Sequence, residues 1–148
     1  MKRQQLIDII ASLFILLFVY TAINKLAGIG VFQAVLRRSP LIGSMYVLVS
    51  WAIPFLELGI ALLLLLPAWR RAGLWASLVL MCVFTLYLGY MLLFTPDLPC
   101  SCGGVIRKMS WTQHLFFNLF FVSIAILGLR LHPPRCSSSN PVIYSAMG

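Results

Sequence analysis

Four long apolar runs, at about 6–23, 45–66, 72–94 and 111–131, leave this chain little choice of solvent. Each is long enough to cross a hydrocarbon core of about 30 Å, which takes roughly 20 helical residues. Each is expected to be a helix. Backbone amides in lipid need partners within the segment, four spans are too few to close a barrel, and an open sheet edge cannot face lipid. Composition points the same way, because only 9% of residues are charged against about a quarter in soluble domains. A chain so poor in charge cannot cover a water-facing surface. The expected fold is therefore all-α, an integral membrane four-helix bundle over 1–132 with the lipid bilayer as its first partner. The Ser- and Pro-rich stretch 133–148 reads as a poorly ordered tail.

The formal net charge is +8, from 11 Lys and Arg against 3 Asp and Glu. On a soluble protein that excess would suggest nucleic acid. Here most basic residues flank the apolar runs, where they anchor helices against anionic head groups, so no nucleic-acid partner is expected. Met1-Lys2-Arg3 before an apolar run resembles the start of a signal peptide, but Asn24, Lys25 and Leu26 follow the run in place of a small-x-small cleavage site. An uncleaved first span is the better reading.

The connections differ in character. Residues 67–71, Pro-Ala-Trp-Arg-Arg, form a tight turn that makes the second and third spans antiparallel neighbours. The stretch 27–40 carries Val31, Phe32, Val35 and Leu36 at helical spacing, which predicts a short helix lying in the membrane interface. The stretch 95–110 holds Pro96, Pro99, Gly103 and Gly104 and reads as an irregular turn. One side of the membrane would carry Lys2, Arg3, Arg70, Arg71, Arg130 and Arg135, the other Lys25, Arg37, Arg38, Arg107 and Lys108. The double-arginine turn, with no acidic residue in it, tilts the balance toward both termini in the cytoplasm. The 95–110 turn would then face the periplasm.

That turn contains Pro99-Cys100-Ser101-Cys102-Gly103-Gly104. Two thiols one residue apart can join only through a small, bent ring, and Gly103 and Gly104 supply a permissive backbone. Such a disulfide closes almost no chain, so it adds little stability. A strained, exposed disulfide exchanges readily, and Arg107 and Lys108 nearby favour the attacking thiolate. Thiol–disulfide chemistry at Cys100 and Cys102 is the leading reading. A structural pair remains open, as does a copper(I) site helped by Met109. Zinc would need ligands that the sequence does not offer at suitable spacing. Cys82, inside the third span, reads as a small apolar core residue. Cys136, in the tail, would lie on the opposite side from the pair.

Three further polar residues stand out as candidates for a supporting role. Glu57, one turn after Pro54 in the second span, is expensive in lipid and needs a partner or a proton. Asn24 and Lys25 at the end of the first span are the natural partners. Glu57 would either tie helices together or relay protons. On the last span Trp111, His114 and Asn118 share one face. His114 could help deprotonate a thiol or simply sit at head-group depth. Trp51, Trp69, Trp75, Tyr87 and Tyr90 read as packing or interface aromatics. No phosphate loop, dinucleotide fingerprint, serine triad or haem-attachment motif is present, so no cofactor is evident.

Taken in order, Tyr-Thr-Ala-Ile-Asn-Lys-Leu at 20–26, then Phe32 and Leu36, then Pro-Phe-Leu-Glu-Leu-Gly at 54–59, then Cys100-x-Cys102-Gly103, then Trp111 and Asn118, resemble the MauE branch of the DoxX-like membrane proteins. The resemblance runs over about 6–131. It implies a bacterial inner-membrane protein tied to maturation of disulfide-rich periplasmic proteins, notably the small subunit of methylamine dehydrogenase. It also implies a thioredoxin-like or other disulfide-containing periplasmic partner, Cys100 and Cys102 as redox pair, and Glu57 and Lys25 as intramembrane polar positions. Relatives often carry an aromatic residue where this chain has Gly104. The function expected is that of a membrane thiol–disulfide component; the alternatives are a non-catalytic assembly scaffold or a metal-handling protein.

Overall fold

The computed structural model describes residues 2–94 and 111–132. They form five helices: α1 (Arg3–Ala27), α2 (Ile29–Arg37), α3 (Tyr46–Leu65), α4 (Arg70–Phe94) and α5 (Trp111–Leu131). Four of them, α1, α3, α4 and α5, are long and apolar enough to cross a membrane. The cysteine turn, with Cys100 and Cys102, and the tail with Cys136 lie outside the described residues.

α1 runs past its apolar stretch at both ends. At its start the Lys2 amide donates to Gln5 Oε1 at 3.1 Å. At its finish the Gly28 amide closes on the Asn24 carbonyl at 3.0 Å, keeping Lys25 in the last turn. α2 follows at once. The expected short helix is present, but it does not lie across the bundle end. Gln33 Nε2 donates to Ser50 Oγ at 3.1 Å, and the Arg37 guanidinium sits 5.9 Å from the Tyr46 ring centre. Four residues forward on α2 thus match four residues back on α3, so α2 runs antiparallel beside the first turns of α3.

The four spans form a ring in the order α1, α3, α4, α5, with α3 and α5 on a diagonal. Each offers a buried stripe to the centre in which small, aromatic or polar residues stand, on α1, α3 and α4 among Ile, Leu and Met. Phe14 meets Phe121 edge-on at 5.3 Å between ring centres, and Phe18 lies 5.7 Å from Phe14. Below them α3 and α4 approach closely at Gly73, where a Cβ would stand 2.9 Å from Leu64 Cγ and 3.0 Å from its backbone nitrogen. Leu64 is fully buried and has nowhere to move. Gly73→Val is therefore expected to destabilise the bundle by about 1–3 kcal/mol. Gly59 faces open space, and Gly59→Ala is expected to stabilise by about 0.5–1 kcal/mol. Thermal unfolding of both variants in detergent checks the pair.

At the end of the bundle where α1 and α4 begin, Arg70 Nη1 pairs with Asp8 Oδ1, and Arg70 Nε reaches the Leu64 carbonyl at 3.4 Å. The first arginine of the turn thus pairs with an acidic residue of α1 that is distant in sequence.

Candidate functional site: a buried polar cluster

In a bundle whose solvent is lipid, a buried charge is the exception that needs explaining. The exception here is Glu57 on α3, 1% exposed. It lies about 16 Å along α3 from Tyr46, given a rise of 1.5 Å per residue. One turn earlier, Pro54 lacks the amide that would bond the Ser50 carbonyl. Ser50, fully buried, donates through its hydroxyl to the Val47 carbonyl at 2.7 Å while accepting from Gln33. The stretch 50–57 of α3 therefore presents Ser50, Pro54 and Glu57 to the interior.

Lys25 meets that stretch from the last turn of α1. Its Nζ makes an ion pair with Glu57 Oε1. The same ammonium lies 5.1 Å from the Phe84 ring centre on α4 and 5.8 Å from that of Phe32 on α2. Such distances suit cation–π attraction, which is stronger away from water. Asn24, the other candidate partner, turns instead to the Tyr20 carbonyl at 2.8 Å. Thr21 stands beside the Glu57 carboxylate, with its hydroxyl 3.2 Å from the Phe18 carbonyl.

α5, on the diagonal from α3, carries two further polar residues on its inner face. His114 is half-buried and feels the Lys25 charge. Asn118, one turn deeper, is 3% exposed. Glu57 Oε2, His114 Nδ1 and Asn118 Nδ2 are all buried with no hydrogen-bond partner among the described residues. Orphaned polar atoms in a dry interior cost about 1–3 kcal/mol each, so this constellation is suited to holding water or exchanging a proton. Among the described residues no three His, Cys, Asp or Glu side chains gather as metal ligands. The copper alternative rested on Cys100, Cys102 and Met109, outside the described residues.

The structure thus brings Lys25 and Glu57 together and sets His114 within electrostatic range of Lys25. Gln33, Ser50 and Thr21 join without having been singled out in the sequence. The signal for Ser50 was its spacing, since residues 50, 54, 57, 61 and 64 form the buried stripe of α3. Cys82 is only partly buried on α4, and its thiol is free. Phe94 and Trp111, which flank 95–110, end their helices on the side of the bundle where α1 finishes and α3 starts. Lys25 in the last turn of α1 and His114 near the start of α5 lie toward that side, and Glu57 sits near the middle of α3.

Comparison with known proteins agrees with this architecture. The family model described as methylamine utilisation protein MauE matches residues 3–131, which takes in all five helices and the Cys-x-Cys turn. No curated protein and no solved structure matches the chain.

Proposed function

Because this chain belongs to the MauE family of membrane proteins linked to methylamine utilisation, we propose that it is a thiol–disulfide component serving maturation of a periplasmic protein. The observation that carries this reading is the Cys100-x-Cys102 pair within the matched residues, in the stretch between the last two spans. In this reading the protein sits in a bacterial inner membrane with the pair facing the periplasm, where disulfides persist. A thiolate of one protein attacks a disulfide sulfur of the other, and a mixed disulfide forms as the first S–S bond breaks. The second cysteine then displaces it, leaving one protein oxidised and the other reduced by two electrons. The partner is a thioredoxin-like or other disulfide-containing protein.

Closing a disulfide on one protein frees two protons, and the two thiolates released on the other take up two. Lys25 and Glu57 form an ion pair, with Lys25 in the last turn of α1 and His114 near the start of α5 on the side where 95–110 begins and ends, and we assign these three groups to holding protons during exchange. The test is mass-shift thiol labelling in intact cells with a reagent that cannot cross the inner membrane, using single-cysteine controls. Cys100 and Cys102 are expected to resist labelling until a reductant is added, and then to label from outside. Labelling only after permeabilisation would place the pair in the cytoplasm and remove the periplasmic partner.

A further inference from the structure

At the opposite end of the bundle the turn between α3 and α4 meets the end of α5 around a pocket of about 360 Å³. Its lining is Pro67, Ala68, Arg71, Ala72, Trp75 and His132. Two adjacent arginines open α4, and they have different fates. Arg70 turns inward to Asp8 and the Leu64 carbonyl. Arg71 is exposed, lines the pocket and has no acidic partner among the described residues. Both cations sit at the positive end of a helix dipole, where a cation is disfavoured and an anion is attracted. Asp8 answers that misfit for Arg70. Nothing among the described side chains answers it for Arg71.

The wider surface has the same sign. Lys2, Arg3, Arg70, Arg71 and Arg130 lie near this end against Asp8 alone. Trp75 follows Arg71 by one turn on the same face of α4 and is 52% exposed. A guanidinium at head-group depth with an indole one turn deeper matches the layering of a phospholipid, whose phosphate sits above its acyl chains. Apart from Arg71 and His132, the lining is apolar, which suits an acylated ligand better than a free anion.

We propose that this pocket binds the head group of an anionic phospholipid, with the phosphate on Arg71 and the upper acyl chain along Ala72 and Trp75. The site is independent of the redox reading and stands or falls without it. A basic side chain near an anionic membrane surface contributes about 1 kcal/mol, so loss of Arg71 should weaken binding about fivefold.

The experiment uses the full chain in neutral detergent micelles, with tryptophan quenching by brominated phosphatidylglycerol compared against brominated phosphatidylcholine. Wild type is expected to prefer phosphatidylglycerol, Arg71→Gln to lose that preference, and Arg71→Lys to keep it. Arg70→Gln, which breaks the pair with Asp8, is expected to lower thermal stability while leaving the preference in place. No preference in wild type overturns the proposal. So does a preference that survives Arg71→Gln, because bulk charge would then explain it. Displacement of the brominated lipid by inorganic phosphate would overturn the lipid assignment in favour of a free anion.

Discussion

Lys25→Met is expected to destabilise the bundle by about 3–5 kcal/mol, because it leaves Glu57 buried without its counter-charge. Methionine keeps the apolar contacts with Phe32 and Phe84, so the loss reads charge rather than packing. Glu57→Leu should cost less. Lys25 stands two residues from the end of α1 and is 18% exposed, so its long stem can swing the ammonium toward water. Glu57, 1% exposed in mid-helix, has no such escape except to take up a proton. The double variant Lys25→Met, Glu57→Leu is expected to recover most of the stability, since an apolar pair of similar volume often replaces a buried ion pair at little cost. Chemical or thermal unfolding of the four proteins in one detergent gives the coupling. Additive losses would mean that the two side chains do not act as a pair. A double variant that folds well but fails in partner maturation would assign the pair to function rather than to holding helices together.

Why Lys25 and Glu57 could be matched from sequence is a matter of stripes. Lipid is as apolar as a bundle interior, so hydrophobicity does not say which face of a span points inward. Small and polar residues do. On α1 the buried positions 7, 11, 14, 18 and 22 lead to Lys25 at the same spacing, and on α3 the positions 50, 54, 57, 61 and 64 carry Glu57. On α5 Asn118, Phe121, Ala125 and Gly128 continue the face that begins at His114. The spans themselves were legible from length and apolarity alone. What was not legible depends on helices distant in sequence. Asp8 and Arg70 are 62 residues apart, and no local pattern announces their meeting. The path of α2 beside α3 shows in the contacts Gln33–Ser50 and Arg37–Tyr46, between residues of ordinary appearance. Nor does any local pattern show that Glu57, His114 and Asn118 each keep a polar atom unpaired among the described residues. That emerges only when α3 and α5 face each other across the ring.

Replacing both cysteines, Cys100→Ser with Cys102→Ser, is expected to reduce maturation of the partner to the level seen without the protein. The single variants carry more information. In exchange through a mixed disulfide, one cysteine attacks or is attacked and the other resolves. Removing the resolving cysteine leaves the intermediate with no exit, so one of the two variants should accumulate a covalent, reductant-sensitive adduct with the partner, and the other should not. Non-reducing electrophoresis of membranes from cells arrested with acid checks this, and the trapped band identifies the partner by mass. The adduct should also depend on the polar cluster if that cluster holds protons for the thiols. The Lys25→Met, Glu57→Leu protein, once shown to be folded, is then expected to form the adduct more slowly and with an altered pH profile, whereas a purely structural pair would leave the rate unchanged. Full maturation by the double serine variant would sink the redox reading and leave an assembly scaffold, in which the buried ion pair organises the bundle and the cysteines take no part.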